Sequence, residues 1–185
     1  MLIKQYLLFA ATYLHLNQLE QISRKCELNF WTTSDYKDEL DREDTYNICS
    51  SEINSKEVVG FLFARLIRKD SNNSLVLRKD EDNFYRYDEA ELFNIAVLPE
   101  YQKKGVGQLI FNTFVDFCVI RNINLVWLEV RRSNLKAQTF YRKNGFQIDY
   151  SRNNYYQNPV EDALVLKLIL PFDLNSNIYE KQSKT

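Results

Sequence analysis

The chain has 185 residues, of which 45% are hydrophobic, 14% aromatic and 26% charged, and its formal net charge is −1. This size and apolar content favour one folded domain and argue against intrinsic disorder. Because positive and negative charges nearly balance, no global positive field exists to recruit nucleic acid, and we expect no direct nucleic-acid partner.

Cysteine and histidine content narrows the chemistry further. Cys26, Cys49 and Cys118 are far apart and form no C-x-x-C motif, which argues against a disulfide framework or a zinc site and fits a reducing, cytoplasmic location. The only histidine is His15, so mechanisms that need a histidine triad or several histidine metal ligands lose support. We therefore expect no bound metal.

The N-terminal segment, residues 1–11, contains Lys4 followed by a short apolar run. A signal peptide is the alternative interpretation, but Tyr13 and His15 interrupt the run and no clean small-residue cleavage site follows. The run is also too short to span a bilayer. We predict a strand followed by a helix here, and no membrane association.

Helical spacing, capping residues and apolar runs of strand length predict the elements of the first half. In chain order they are a helix at 17–26, a short helix capped by Thr33 or Ser34 that runs through Leu40, a strand at 45–50 and a strand at 58–67. The charged segment 69–89 predicts a long excursion between strands, with a small hairpin at 75–77.

The same signals predict the elements of the second half. In chain order they are a strand at 91–97, a glycine-bearing turn, a helix that ends near Arg121, a strand at 124–130, a helix capped by Ser133 or Asn134 that ends at Gly145, and strands at 146–152 and 164–169. From Pro171 onward the chain is a polar tail that we expect to be frayed. This order of elements predicts an α+β fold with a mixed sheet.

The turn at 102–107, Gln-Lys-Lys-Gly-Val-Gly, precedes an amphipathic helical run. The start of a helix has unpaired N–H groups that attract anions. Gly105 and Gly107 would let a phosphate approach the backbone closely, and Lys103 and Lys104 add positive charge. The segment matches neither a P-loop nor a dinucleotide fingerprint. On these residues alone, a pyrophosphate cradle and an ordinary glycine-bearing turn both remain open.

Seven short motifs between residues 92 and 163, including this turn, form one recognisable set. They are residues 92–97 (Leu-Phe-Asn-Ile-Ala-Val), the turn at 102–107, residues 127–131 (Trp-Leu-Glu-Val-Arg), Ser133-Asn134, Phe140-Tyr141-x-x-x-Gly145-Phe146, residues 152–156 (Arg-Asn-Asn-Tyr-Tyr) and residues 161–163 (Glu-Asp-Ala). The set resembles the GNAT acetyltransferases and, within them, the RimI-type ribosomal-protein-alanine N-acetyltransferases. The match covers residues 91–170. Trp31 is a looser N-terminal match, and the excursion at 69–89 is longer than that branch has.

The resemblance implies a GNAT fold, which is a mixed, strongly bent sheet with splayed central parallel strands, flanked by helices. We expect residues 1–172 to form a single GNAT domain, followed by a polar tail at 173–185. Acetyl-CoA would be the co-substrate and would lie where the two central strands separate.

Cofactor-binding residues follow from the same resemblance. The backbone of Ile95, Ala96 and Val97 would pair with the pantetheine arm, and Asn134 would contact the cofactor near the second splayed strand. The residues expected to hold the pyrophosphate are Lys103, Lys104, Gly105, Val106, Gly107 and Gln108.

The resemblance also assigns two catalytic residues. Glu129 would be the general base, directly or through a water, and Tyr141 would be the general acid that protonates the departing thiolate. A carboxylate in an apolar strand is either partnered or functional, so the alternative for Glu129 is an edge-strand residue paired with Arg131 or Arg132. The alternative for Tyr141 is an aromatic side chain packed in the core.

The expected substrate is the N-terminal amine, with alanine the expected first residue, of a ribosomal protein. A terminal amine has a pKa of about 8, against about 10.4 for lysine, so a single carboxylate base is better matched to it. Tyr155 and Tyr156 would line the peptide groove, although sheet-edge packing also explains that pair. We expect a monomer. Two alternatives stay open, a GNAT enzyme for a small amine or a lysine side chain, and a non-catalytic acetyl-CoA-binding module.

Overall fold

A computed structural model of the chain describes residues 5–28, 31–53, 55–68 and 87–170. The hairpin expected at 75–77, most of the excursion at 69–89 and the polar tail from Pro171 lie outside these residues. The last residue of the predicted excursion, Glu89, is already the first residue of a strand.

The described elements confirm the α+β order that the sequence predicts. They are β1 (Tyr6–Ala10), a 3-10 turn (Tyr13–His15), α1 (Leu16–Lys25), α2 (Thr33–Leu40), β2 (Thr45–Glu52), β3 (Val58–Ile67), β4 (Glu89–Val97), a 3-10 turn (Pro99–Tyr101), α3 (Val106–Ile120), β5 (Leu125–Arg131), α4 (Leu135–Lys143), β6 (Gln147–Gln157) and β7 (Val160–Ile169). The strands form one mixed sheet in the order β1-β2-β3-β4-β5-β7-β6.

The two central strands of the sheet, β4 and β5, are parallel, and their pairing is short. It joins Glu89, Ala90 and Glu91 to Leu125, Val126 and Trp127, and it stops there although both strands continue. The parallel pairing agrees with the predicted mixed sheet. The other described pairings, β1 with β2, β2 with β3, β5 with β7 and β6 with β7, are antiparallel.

The described residues divide between two compact units, one within 1–67 and 92–120 and the other within 68–91 and 121–185. The first unit has an aromatic core in which Tyr36 packs edge-to-face on Phe61 and Phe63, with ring centroids 5.6 and 5.1 Å apart. All three side chains are fully buried. Because each aromatic side chain buries a large apolar area, this cluster fixes α2 against β3.

The start of α2 corrects a predicted cap. The N-cap is Thr32, one residue before Thr33, which with Ser34 was the expected cap. The Thr32 hydroxyl accepts from the N–H of Asp35, and the Asp35 carboxylate accepts from the N–H of Thr32 at 2.6 Å. This reciprocal capping box satisfies two otherwise unpaired donors. A capping box needs its acidic partner three residues after the cap, so Asp35 can serve Thr32 but neither Thr33 nor Ser34.

In the second unit, β5 alternates strictly between its two faces. Val126, Leu128 and Val130 are buried, whereas Trp127, Glu129 and Arg131 are half-buried on the opposite face. A strand with one buried face and one more open face places every second side chain at a potential site. Glu129 therefore lies on the more open face of a central strand, not on an edge strand.

The hairpin of β6 and β7 is longer than predicted. The expected strand ended at residue 152, but β6 continues through Gln157. Its pairing with β7 shifts between Arg152 and Tyr156, where Asn154 has a φ of 51° and donates its N–H to the Asp162 carboxylate at 3.0 Å. The strand continues through this irregularity, although the polar pair Asn153-Asn154 by itself is typical of a turn.

Candidate active site

The glycine turn, residues 102–107, joins the end of β4 to α3 in the first unit. Lys103 and Gly105 have positive φ values of 60° and 90°. A Cβ built on Gly105 would meet no atom within 4 Å. Glycine is therefore favoured at 105 by its backbone conformation and not by crowding, and the space beside it is open.

Backbone N–H groups cluster at this turn. In the part of the chain that the structure describes, the N–H groups of residues 103–107 donate to no acceptor of the protein. The first bond into the helix runs from the N–H of Leu109 to the carbonyl of Gly105, at 2.9 Å. Unpaired N–H groups at a helix start, beside two lysines, form an arrangement that fits a phosphate group.

The end of β4 narrows which backbone groups can bind a ligand. The Val97 carbonyl accepts from the Gln102 side chain at 2.8 Å and from the Cys26 thiol at 3.2 Å, so both of its lone pairs are used. The Ala96 carbonyl faces β3, because a Cβ on Gly60 would lie 2.9 Å from it. Three residues were predicted to pair with pantetheine. The carbonyl of Ile95, unlike those of Val97 and Ala96, neither accepts these side-chain bonds nor lies against Gly60.

Glu129 is the centre of a charged cluster in the second unit. Its side chain is 11% exposed and forms an ion pair with the Nη1 group of Arg152. Tyr155 also lies close enough to interact with it. The alternative partners expected for Glu129 were wrong, because Arg131 pairs with Glu161 and Arg132 pairs with Asp162.

The two tyrosines of β6 pack on each other and stay protonated near neutral pH. Their rings meet edge-to-face with centroids 5.1 Å apart. Interaction with the Glu129 carboxylate, followed by partial burial, raises the pKa of Tyr155 to about 12. Burial, followed by the charge of Glu129, raises the pKa of Tyr156 to about 12. Both hydroxyls can therefore donate hydrogen bonds.

Arg131 and Glu161 organise the turn between β6 and β7. The guanidinium of Arg131 donates to Glu161 at 3.0 Å and to the carbonyls of Asn158 and Pro159 at 3.0 and 3.3 Å. The other Glu161 oxygen accepts from the N–H of Ser133 at 2.5 Å. Glu161 is thus engaged through both oxygens and shapes the hairpin.

Tyr141 lies on α4 with its ring between two phenylalanines. Its ring contacts Phe140 and Phe146 with centroids 5.7 and 5.5 Å away, and the side chain is buried. Burial, followed by the nearby Tyr156, raises the pKa of Tyr141 well above its usual value. Within the described residues its hydroxyl makes no hydrogen bond. The ring thus packs in the core as the alternative expected, while the phenol keeps its proton to donate.

Asn134 is the N-cap of α4, as one of the two predicted cap residues. Its side-chain oxygen accepts from the N–H of Ala137 at 3.0 Å. The helix ends before Gly145, whose φ of 89° is the left-handed conformation expected there. The cap uses one lone pair of the oxygen, and the amide nitrogen remains a donor that could contact a ligand.

Metal-ligand clusters and membrane-spanning helices can be judged for the described residues only. Among them, no group of three or more His, Cys, Asp or Glu side chains could hold a metal ion. No described helix is both long enough and apolar enough to cross a membrane.

The contact that sequence reasoning missed is the ion pair of Glu129 with Arg152. The two residues are 23 positions apart in sequence. They meet because β7 lies between β5 and β6 and pairs with both. Arg152 stood in a recognised motif, but only the strand order and register could have identified its partner.

Relatives of known name match the chain over different lengths. A Salmonella typhimurium [ribosomal protein bS18]-alanine N-acetyltransferase is 41% identical over 83 residues, which are 44% of this chain and 56% of the relative. The chain thus spans little more than half of that protein. A Bacillus subtilis relative is 32% identical over 133 residues, which cover 68% of this chain and 87% of the relative.

Solved structures share the fold. The crystal structure of the ribosomal-protein-S18-alanine N-acetyltransferase from Escherichia coli matches with a TM-score of 0.71 and 25% identity, over 91% of this chain and 96% of that one. Arabidopsis thaliana Naa50, in complex with the bisubstrate analogue CoA-Ac-MVNAL, matches with a TM-score of 0.69 at 22% identity, over 89% and 98% of the two chains, and shows the fold alone.

The family assignment rests on a match that is longer than that of the Salmonella relative. The model of the acetyltransferase (GNAT) family matches residues 16–146, which is more than half of the chain and includes residues of both units. The turn at 102–107 and the catalytic candidates Glu129 and Tyr141 all lie within that range. The chain belongs to the GNAT acetyltransferase family.

Proposed function

We propose that this protein is an acetyl-CoA-dependent N-α-acetyltransferase that modifies the N-terminal amine, with alanine as the first residue, of a ribosomal protein. The names of the Salmonella and Escherichia coli relatives support this substrate. The observation that carries the proposal is that the second unit contains both a candidate base and a candidate acid. Glu129 is an almost buried carboxylate, and Tyr141 is a phenol that keeps its proton.

Acetyl transfer needs a neutral amine, and Glu129 can supply it. The carboxylate takes a proton from the substrate ammonium, directly or through a water. The neutral amine nitrogen then forms a bond to the carbonyl carbon of the thioester as the carbon–sulfur bond breaks, and the nitrogen loses its second proton to solvent to give the amide. Tyr141 donates its proton to the departing sulfur, and solvent restores both side chains. The phenol must be protonated when the thiolate leaves, and burial, which raises the pKa of Tyr141, keeps it protonated.

The residues present fit acetyl-CoA as co-substrate, which supplies the activated acetyl group. In the first unit, the unpaired N–H groups of residues 103–107 would hold the pyrophosphate, with Lys103, Lys104 and the side chain of Gln108 beside it. Along β4, Ile95 would provide the backbone pairing for the pantetheine arm. In the second unit, the amide nitrogen of Asn134 would donate to the co-substrate.

The choice of a terminal amine follows from the strength of the base. At pH 7, roughly a tenth of a terminal amine with a pKa of about 8 is neutral, whereas well under about a thousandth of a lysine amine is. A single carboxylate such as Glu129 can therefore deprotonate an N-terminal ammonium far more easily than a lysine ammonium. Tyr155 and Tyr156, which lie beside Glu129, would line the path of the peptide.

The proposal treats residues 1–172 as one catalytic domain, which the family match over both units supports. It places a monomeric protein in the cytoplasm, where ribosomal proteins are made. Gel filtration coupled to light scattering tests whether the protein is a monomer, because a dimer would have twice the mass of 22.1 kDa.

The test is acetyl transfer to a synthetic peptide that begins Ala-Arg, followed by mass spectrometry to locate the acetyl group. We expect acetylation at the terminal nitrogen and no reaction with the same peptide already Nα-acetylated. Preferential acetylation of an internal lysine or of a polyamine would favour the small-amine or lysine alternative. Tight binding of acetyl-CoA without turnover on any amine would favour the binding module.

A further inference from the structure

Two arginines of the second unit are held in different ways, although each stacks on a tyrosine. Arg131 lies over the ring of Tyr156 at 4.1 Å, and Arg152 lies over the ring of Tyr155 at 4.4 Å. Arg131 is 17% exposed and donates to Glu161 and to two backbone carbonyls. Arg131 is therefore fixed in place.

Arg152 is held more loosely. Its side chain is 46% exposed. Among the described residues, its guanidinium makes a single hydrogen bond, to Glu129. An exposed cation with one charge-assisted contact is released at little cost in free energy, because water solvates it as it leaves. The carboxylate it contacts is far less exposed than the guanidinium itself.

The path of Arg152 to Glu129 crosses β7. Ala163 is the residue of β7 that pairs with both Arg131 and Arg152. Its small side chain leaves room over the strand for a long side chain from β6. Because the Arg152 side chain is 46% exposed, the guanidinium can withdraw from the carboxylate into solvent.

We propose that Arg152 is a displaceable counter-ion that occupies, in the free protein, the place at Glu129 that the substrate ammonium takes. This inference rests on the proposed function and adds a residue that controls access to the base. The two cations compete because each needs the same carboxylate. An ammonium that replaces the guanidinium keeps the cluster neutral, whereas both cations together on one carboxylate would repel each other.

The inference assigns Arg152 a role opposite to that of an ordinary substrate-binding residue. Its removal should improve the binding of the amine substrate instead of weakening it. Acetyl-CoA does not enter the competition, because it brings no cationic amine to Glu129.

The kinetic test compares Arg152→Gln with the wild type on a peptide that begins Ala-Arg. We expect the KM for the peptide to fall by about threefold or more, with the KM for acetyl-CoA unchanged. Arg152→Lys restores a competing cation and should bring the peptide KM back toward the wild-type value. The matched control is Lys167→Gln, which removes one positive charge from β7, where Lys167 pairs with Asp149. A peptide KM that rises, or that changes no more than in the control, overturns the proposal.

A second measurement separates this inference from the proposed function. The Nε–Hε resonance of Arg152 is followed by NMR while the peptide is added without acetyl-CoA. We expect the resonance to shift with the free-amine peptide and not with its Nα-acetylated form. If the wild type acetylates no peptide, the proposed function fails, and this titration still decides the inference. The absence of a shift with the free amine overturns it whatever the turnover.

Discussion

The hydroxyls of Ser23 and Tyr36 lie 2.5 Å apart in the core of the first unit, and both side chains are fully buried. Ser23 donates its proton to the carbonyl of Leu19 at 2.8 Å. The Tyr36 hydroxyl must therefore be the donor in the pair. Burial raises the pKa of Tyr36 far above its usual value, so that the proton stays in place.

This direction of donation predicts unequal costs for the two deletions. Ser23→Ala leaves a buried phenol donor without a partner and should cost about 2 kcal/mol of unfolding free energy. Tyr36→Phe leaves Ser23 bonded to Leu19 and should cost about 1 kcal/mol. Urea unfolding measures both, with Tyr150→Phe on exposed β6 as the control, which should change stability by less than about 0.5 kcal/mol. A larger loss in Tyr36→Phe than in Ser23→Ala would contradict the assigned direction.

A second prediction concerns the backbone conformation at Gly105. Gly105→Ala places a Cβ in open space but at a φ of 90°, so the cost is conformational, about 1–2 kcal/mol. The strain should also move the N–H groups of residues 103–107 and raise the KM for acetyl-CoA. Gly105→Asn is the matched comparison, because asparagine tolerates a positive φ better and should show smaller effects on both. Equal effects of Ala and Asn would show that φ is not the cause.

The sequence predicted the elements of the fold well because each has a local signal. The apolar alternation of β5 placed Glu129 in a strand, and the glycine turn marked the start of α3. The cap of α2 was missed by one residue, since Thr32, Thr33 and Ser34 are all good caps. Only the position of Asp35 selects Thr32.

The contacts of the site could not be predicted because they depend on strand register. Glu129 and Arg152 meet over β7, whose place between β5 and β6 differs from its place in the chain. A register change of one residue would turn Arg152 to the other face of the sheet. The engagement of Glu161 with Arg131 and Ser133 was hidden for the same reason.

A third prediction is a pH dependence of stability that comes from Glu161. The hydrogen bonds from Ser133, followed by the charge of Arg131, lower the pKa of Glu161 in the folded protein. A pKa below that of the unfolded chain contributes stability that is present above the unfolded pKa and is lost as pH falls through the folded pKa. Glu161→Gln should therefore melt at a lower temperature than the wild type at pH 7, and the difference should shrink toward acid pH.

Thermal melts between pH 7 and pH 3 measure this difference. The control is Glu100→Gln, because Glu100 makes one exposed contact with Lys25 at 3.7 Å. That variant should follow the wild type across the range. A Glu161→Gln difference that stays constant with pH would show that the carboxylate acts through packing and not through its charge.

The last prediction tests Tyr141 as the acid. Tyr141→Phe removes the hydroxyl but keeps the ring between Phe140 and Phe146, so that the fold should be retained. We expect kcat to fall on the order of 10²-fold, with little change in the KM of either substrate.

Because burial raises the pKa of Tyr141 above its usual value, the phenol keeps its proton through about pH 9. The wild-type kcat should therefore show no alkaline fall from this group below that pH. Tyr150→Phe, which alters an exposed tyrosine, should keep the wild-type kcat. Full activity in Tyr141→Phe would remove Tyr141 from the acid role. An alkaline fall below about pH 9 that this variant abolishes would instead contradict the raised pKa, since a buried phenol should still be protonated there.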